Sequence, residues 1–285
     1  MIRSAWILIT GIAFLALTAC EAKPKGEPVV RTSLDGSEPE SEAEIVAAND
    51  ANRSETSEAP EAVASACKKA EFEGAEFTHC VADPAKHRIT TALSPNGGQP
   101  YGSLSAYAAT ADRTKVAFAM NGGAYGDDLR AIGYFVENGE RLKLLNREEG
   151  NANFFLKPNG VFYGTDGQWR MRTADSFLRN VSDRPKFGMQ SGPMLVIEGQ
   201  LHPEIQPDGP SQAVRNGVGL GADGSAHFVI SEGPVSFGKI ARFFKDRLGT
   251  PNALLLDSNV SALWDPATGR LDRKRAGPLL VVMKK

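Results

Sequence analysis

The side chains best suited to chemistry gather in four short stretches, each carrying glycine and set at the border of an apolar run. They are Met120-Asn121-Gly122-Gly123-Ala124-Tyr125, Gln190-Ser191-Gly192-Pro193, Arg215-Asn216-Gly217-Val218-Gly219 and Asp257-Ser258-Asn259-Val260-Ser261. Glycine lets backbone N–H groups approach a ligand closely and line an anion-binding hollow. Asn121, Gln190, Ser191, Asn216 and Ser261 supply neutral hydrogen-bonding groups suited to sugar hydroxyls. Arg215 offers a fixed cationic fork for a phosphate or carboxylate. Asp257 follows three leucines, Leu254-Leu255-Leu256, and a carboxylate in that setting needs a partner or a purpose. A structural salt bridge to an arginine is the alternative.

Other chemistries find less support. The four histidines, His79, His87, His202 and His227, show no zinc-ligand spacing. No Gly-x-Ser-x-Gly elbow and no phosphate-binding Walker loop occurs. Asp127-Asp128 suggests calcium, but the Asp-x-Asp-x-Asp-Gly loop pattern is missing, and a solvated turn suits the pair better. Together with Asp257 these residues leave a divalent cation, Ca or Mg, as an alternative with a metal-dependent phosphodiesterase as its corollary. No cofactor is otherwise implied. A net charge of −2, from 32 Lys+Arg against 34 Asp+Glu, gives no support to nucleic-acid binding.

The elements that must position these groups read mainly as strands. Residues 88–93, 116–120, 131–137, 141–145, 153–157, 161–164 and 168–172 are short and rich in aromatic or aliphatic side chains. Asn138-Gly139, Asn159-Gly160, Asp166-Gly167 and Asp223-Gly224 read as hairpin turns, since both dipeptides tolerate positive φ. Residues 173–180 read as a short helix. The clearest helix covers 236–248, with Ile240, Phe243, Phe244 and Leu248 on one face, Ser236 as cap, and Gly249 with Pro251 as stop. Residues 253–256 and 278–283 are apolar strands. The expectation is an α+β domain over 67–285, mostly antiparallel β-sheet built from hairpins with a few packed helices.

The 285 residues, 41% of them hydrophobic, provide ample length for such a core, but the ends differ in kind. Residues 1–20 have a basic start at Arg3, then an apolar run ending in Leu17-Thr18-Ala19-Cys20, the pattern of a lipoprotein signal with Cys20 as lipidation site. Glu21 after the cysteine favours the outer membrane. Residues 21–66 carry a net charge of −7 and no aromatic residue, which predicts a disordered acidic tether. In an exported chain the remaining cysteines, Cys67 and Cys80, are expected to form a disulfide. The expected setting is the bacterial cell envelope, lipid-anchored in the periplasm.

In order, the four clusters and several further stretches resemble the phosphodiester glycosidase family. Its domain also forms the catalytic part of the mammalian enzyme that uncovers mannose 6-phosphate on lysosomal proteins. The matching stretches are 119–125, GYFVENG at 133–139, NFFLKPNG at 153–160, QSGPMLV at 190–196, RNGVG at 215–219, ARFFKDRL at 241–248 and LDSNVSALW at 256–264. The resemblance implies hydrolysis of a sugar-1-phosphodiester, such as an N-acetylglucosamine-1-phosphodiester, at the C1–O bond. It implies that Arg215, aided by backbone N–H groups of Asn121, Gly122, Gly123, Ser191 and Gly192, neutralises the phosphate. Asp257 would act as nucleophile or as base activating water, with Glu232 as a second carboxylate. Asn121, Gln190, Asn216 and Ser261 would hold sugar hydroxyls. The alternative is a non-catalytic envelope lipoprotein binding glycan or anionic polymer in the same cleft. One departure concerns the last motif, where Ser258 stands in place of a usual glycine. If that position needs positive φ, Ser258 is strained.

Overall fold

The structure, a computed structural model, describes residues 64–180 and 184–285. The expected leader at 1–20, with Cys20 as expected lipidation site, and the expected tether up to residue 63 lie outside the described residues. The described residues fall within one compact unit.

The first hairpin pairs β1 (Cys67–Phe72) with β2 (Ala75–Ala82), and the Cys67–Cys80 disulfide joins two residues that face each other in register. Closing so short a loop contributes about 3 kcal/mol on the chain-entropy account. After β3 (His87–Ala92) comes α1 (Leu104–Ala108), where the Ser103 hydroxyl accepts the Ala106 N–H at 3.1 Å. Strand β4 (Val116–Asn121) is buried along its whole length. Hairpin β5 (Phe135–Glu137) and β6 (Glu140–Lys143) turns at Asn138-Gly139, both left-handed with φ of 52 and 82°. Hairpin β7 (Gly160–Thr165) and β8 (Gln168–Thr173) turns at Asp166-Gly167 and leads into α2 (Ala174–Asn180).

Then follow β9 (Phe187–Ser191), β10 (Met194–Ile197), β11 (Gln200–Leu201) and the hairpin of β12 (Asn216–Leu220) and β13 (Ala226–Ser231), whose loop carries Asp223-Gly224. Ser236 caps α3 (Phe237–Arg242), accepting the Lys239 N–H at 3.0 Å, and the helix runs on as a π-helical turn over Phe243–Arg247. The chain ends with β14 (Asn252–Asp257), β15 (Leu263–Asp265), β16 (Arg270–Leu271) and β17 (Leu279–Lys284).

These strands make three sheets: β1-β2-β13-β12-β14-β10-β11, β16-β15-β4-β17-β3 and β6-β5-β9-β7-β8. Pairing is antiparallel throughout the described ladders, so the α+β expectation holds. The faces meet on Phe118, Phe162, Phe187 and Phe228, all fully buried, with Phe118 and Phe228 at 5.2 Å edge to face. On the other face of the seven-stranded sheet, α3 and its π turn pack Ile240, Phe243 and Phe244 against Leu195, Val229 and Leu255.

Two local readings need correction. Residues 153–157 are not a strand. Asn153–Phe155 forms a 3-10 turn, because Phe154 is buried there rather than alternating along a sheet. Asn159-Gly160 is not a hairpin turn: the Asn159 side chain donates to Phe154 O at 2.9 Å, holding a loop whose end is the first residue of β7.

Candidate active site

The site is assembled where β4 and β14 end beside the start of β12. Between β12 and β14 the register slips: Asn216 faces Asp257 but Gly217 faces Leu255, leaving Leu256 as an unpaired bulge. Bulges re-aim the side chains that follow them. Freed from its ladder, the Leu256 carbonyl accepts Gly123 N–H at 2.7 Å and Ser191 Oγ at 2.9 Å. One bulged residue of the first sheet thereby ties down the chain leaving β4 in the second and the end of β9 in the third. Gly123 is required at this clip, because it sits at φ +92° and a Cβ would lie 2.8 Å from Met189.

Asp257 is 8% exposed and surrounded by donors. Its Oδ1 accepts the Asn259 and Val260 N–H groups at 2.8 and 3.1 Å, and its Oδ2 accepts Asn121 Nδ2 at 3.0 Å. The Tyr125 hydroxyl donates to the same carboxylate. Asn121 is itself locked. Its Nδ2 also reaches Val260 O at 2.9 Å, while its Oδ1 accepts Ala262 N–H at 2.7 Å and Asn216 Nδ2 at 3.0 Å. Burial raises the Asp257 carboxyl above the ordinary aspartate range against these donors. Burial and the neighbouring carboxylate push Tyr125 up to about 12, so it stays a neutral donor.

Asp257 opens into a cleft of about 240 Å³, close to the lower end of small-molecule sites at roughly 300 Å³. Tyr125, Phe154, Phe155, Ser191 and Gly192 line it, and Arg275 brings a guanidinium to its rim. Arg275 also donates to Asp127 O at 3.0 Å.

Several expected residues lie elsewhere or are already engaged. Arg215 does not line this cleft. Neighbours on a strand point to opposite faces, so with Asn216 turned to Asn121, Arg215 points away. Its Nε donates to Val235 O at 2.9 Å, its Nη2 to Ser211 O at 2.8 Å and Ser211 Oγ at 2.9 Å, and the guanidinium lies 3.5 Å over Phe237. Burial pulls it down to about 10. The arrangement of Arg215 facing Asp257 across one hollow is therefore not what the structure has. Glu232 is likewise outside the cleft, bound by Lys69 at 2.8 Å, by Arg270 at 2.7 Å and by the Thr78 hydroxyl. Its burial works against ionisation, but these donors prevail and hold the carboxyl down at about 2.

Gln190 is engaged by the protein itself: Oε1 accepts Tyr134 and Asn146 N–H at 3.0 and 2.9 Å, and Nε2 donates to Asn146 O at 2.8 Å. It positions the segment that carries Phe154 and Phe155. Ser261 Oγ donates to Val214 O at 2.9 Å, outside the cleft wall. The N–H groups of Asn121, Gly122 and Gly123 go to Ala262 O, Pro278 O and Leu256 O rather than to an anion. Gly217 and Gly219 serve packing, since a Cβ on either would meet Phe244 at 2.8 and 2.7 Å. Asp127 lines the cleft, whereas Asp128 faces a neighbouring hollow and accepts Arg130 N–H at 3.0 Å. Among the described residues no group of three His, Cys, Asp or Glu side chains is placed to hold a metal.

Two site residues escaped the sequence reading. Tyr125 stood in the first cluster without a role. Arg275 lies in Asp272-Arg273-Lys274-Arg275, a charge run that looks like any solvated loop. Ser258 takes no positive φ, so the departure in the last motif carries no backbone strain.

A family model for phosphodiester glycosidases matches residues 114–264. The Escherichia coli uncharacterized protein YigE is 33% identical over 183 residues, covering 64% of this chain and 71% of that one. Among solved structures, the catalytic domain of zebrafish N-acetylglucosamine-1-phosphodiester alpha-N-acetylglucosaminidase, auto-inhibited by its pro-peptide, superposes with a TM-score of 0.54. That match covers 77% of this chain and 82% of the zebrafish domain at 13% identity, a likeness of fold. With the family model spanning more than half of the sequence, this chain belongs to the phosphodiester glycosidase family.

Proposed function

We propose that the chain hydrolyses a sugar-1-phosphodiester at the C1–O bond, with Asp257 as the carboxylate that meets the anomeric carbon. The observation that carries this reading is Asp257 itself: a buried carboxylate at a cleft, cradled by uncharged donors, with a guanidinium at the cleft's rim. Such a cradle fixes the carboxylate without neutralising it, as stabilisation of an oxocarbenium-like sugar requires. Asp257 then acts as nucleophile or as base for water. Arg275 takes the part first given to Arg215, holding the departing phosphate. A phosphate monoester leaves as a stable anion, so a strong general acid is dispensable. N-acetylglucosamine is the sugar to try first, following the name of the zebrafish enzyme. The N-terminal apolar run ending at Cys20 supports a lipid-anchored protein of the bacterial envelope, facing the periplasm from the outer membrane.

The test is incubation of the protein with methyl N-acetylglucosamine-1-phosphate, following free sugar and methyl phosphate by NMR. Turnover by the wild type, lost on the order of a thousand-fold in Asp257→Asn, is the expected result. Saturable binding without product in the wild type would overturn the hydrolase in favour of a glycan-binding lipoprotein.

A further inference from the structure

We propose that the outer side of the 146–159 segment forms a second site, built to take a phosphoryl group. A hollow of about 440 Å³ lies there, lined by Arg147, Lys157, Arg179, Asn146, Asn159 and Asp175 among others. Three cations against one carboxylate give it a positive balance, and the remaining polar groups are neutral amides and the Thr173 hydroxyl. Guanidinium forks match the geometry of a tetrahedral oxyanion. Lys157 Nζ meets Glu149 Oε1 at 3.4 Å, a pair of two exposed side chains that holds little.

The backbone under the hollow is fixed, while Arg147, Lys157 and Arg179 reach over it as exposed side chains. Asn146, beside Arg147, is pinned through its N–H and carbonyl to Gln190. Asn159 accepts Ala174 N–H on its carbonyl at 2.9 Å and donates from its side chain to Phe154 O at 2.9 Å, fixing loop and helix α2 together. The same segment that presents Arg147 and Lys157 outward presents Phe154 and Phe155 to the Asp257 cleft. Gly192, in the cleft lining, packs closely on that segment: a Cβ there would lie 2.7 Å from both Phe154 O and Asn159 Cβ. A phosphoryl group bound here is either a further phosphate on a substrate whose sugar occupies the cleft, or free phosphate acting on the cleft wall.

Calorimetric titration of the whole protein with inorganic tripolyphosphate tests the site without relying on turnover. Saturable binding is expected, weakened at least about tenfold in Arg147→Gln/Arg179→Gln and unchanged in Asp257→Asn. Lys68→Gln/Lys86→Gln removes the same charge elsewhere and should bind as wild type. Equal affinity in the Arg147/Arg179 variant, or equal loss in the lysine control, overturns the proposal. The source follows from kinetics, an arm that does rest on the hydrolase reading. A substrate site lowers kcat/KM in the variant only for an aglycone carrying an extra phosphate, whereas an effector site leaves both aglycones equal and abolishes any response to added phosphate. Tripolyphosphate binding without turnover of any phosphodiester would fail the hydrolase reading and leave this site standing.

Discussion

Asp257 and Glu232 are two partly or fully buried carboxylates at the ends of β14 and β13, the strands that flank β12, and they have been moved in opposite directions. Glu232 is gripped by two cations and a hydroxyl and titrates at about 2. Asp257 is met by two backbone N–H groups, an amide and a phenol, and burial leaves it above the ordinary range. A cation that pairs with a carboxylate consumes the charge, whereas neutral donors orient the charge and leave it available. On the proposed reading Glu232 is a fastener and Asp257 a reagent, although both follow apolar strand-like runs.

The sharpest way to break that contrast is to remove each charge in turn. In Asp257→Asn the amide oxygen can keep the Asn259 and Val260 N–H bonds and the Tyr125 hydroxyl can reverse and accept, but the new Nδ2 meets the Asn121 Nδ2 donor, which retains only Val260 O. Turnover should fall on the order of a thousand-fold, with the thermal midpoint lowered only as far as the loss of the Asn121 bond requires. In Glu232→Gln the reverse is expected. Activity stays within about twofold, while stability drops by about 1–3 kcal/mol because Arg270 and Lys69 lose their counter-ion. The sign with pH follows from its depressed carboxyl. The stabilisation from Glu232 is complete above the ordinary value of 4.5 and is lost as pH falls toward about 2. Denaturant melts of both proteins between pH 7 and 2 check this, the gap between them closing only in that acid window.

Tyr125→Phe sharpens the comparison more gently. The phenol is one of the donors that hold the Asp257 carboxyl down against burial, so its loss should raise that carboxyl further. The acid limb of kcat/KM, set by ionised Asp257, should lie above the ordinary aspartate value of 3.8 in the wild type and move upward again in Tyr125→Phe. A loss of about tenfold at neutral pH accompanies it, the worth of one hydrogen bond to a charged group. An acid limb that stays in place would mean that the phenol does not report on the catalytic carboxylate.

Much of this was legible in the residues and some was not, for physical reasons. Asn138-Gly139 and Asp166-Gly167 announced hairpins because their backbone demands are local. Asp257 announced itself because three preceding leucines make a carboxylate costly. The period of two along a strand, applied to Arg215-Asn216, would have shown that both cannot face the cleft. Nothing local marks Arg275 or the Leu256 bulge, since both acquire meaning only when β4, β9 and β14 come together. The NFF stretch looked like a strand by composition, and its bend exists because Phe154 is pulled under the cleft floor.

The smallest expected effect concerns the residue that departs from the family pattern. A glycine is required only where φ is positive or where a Cβ has no room. Ser258 takes an ordinary φ, and the turn that follows is held by the Asp257 side chain, which accepts the next two N–H groups. The loop therefore draws its shape from Asp257 rather than from backbone freedom at 258. Ser258→Gly should restore the family's residue at a cost of roughly 0.5–1 kcal/mol in chain entropy and change kcat/KM by no more than about twofold. Parallel melts and initial rates measure both. A large gain in rate would show that the serine hydroxyl, which lies in the cleft wall, had been obstructing the substrate, and the contrast between a passive loop and an active Asp257 would have to be redrawn.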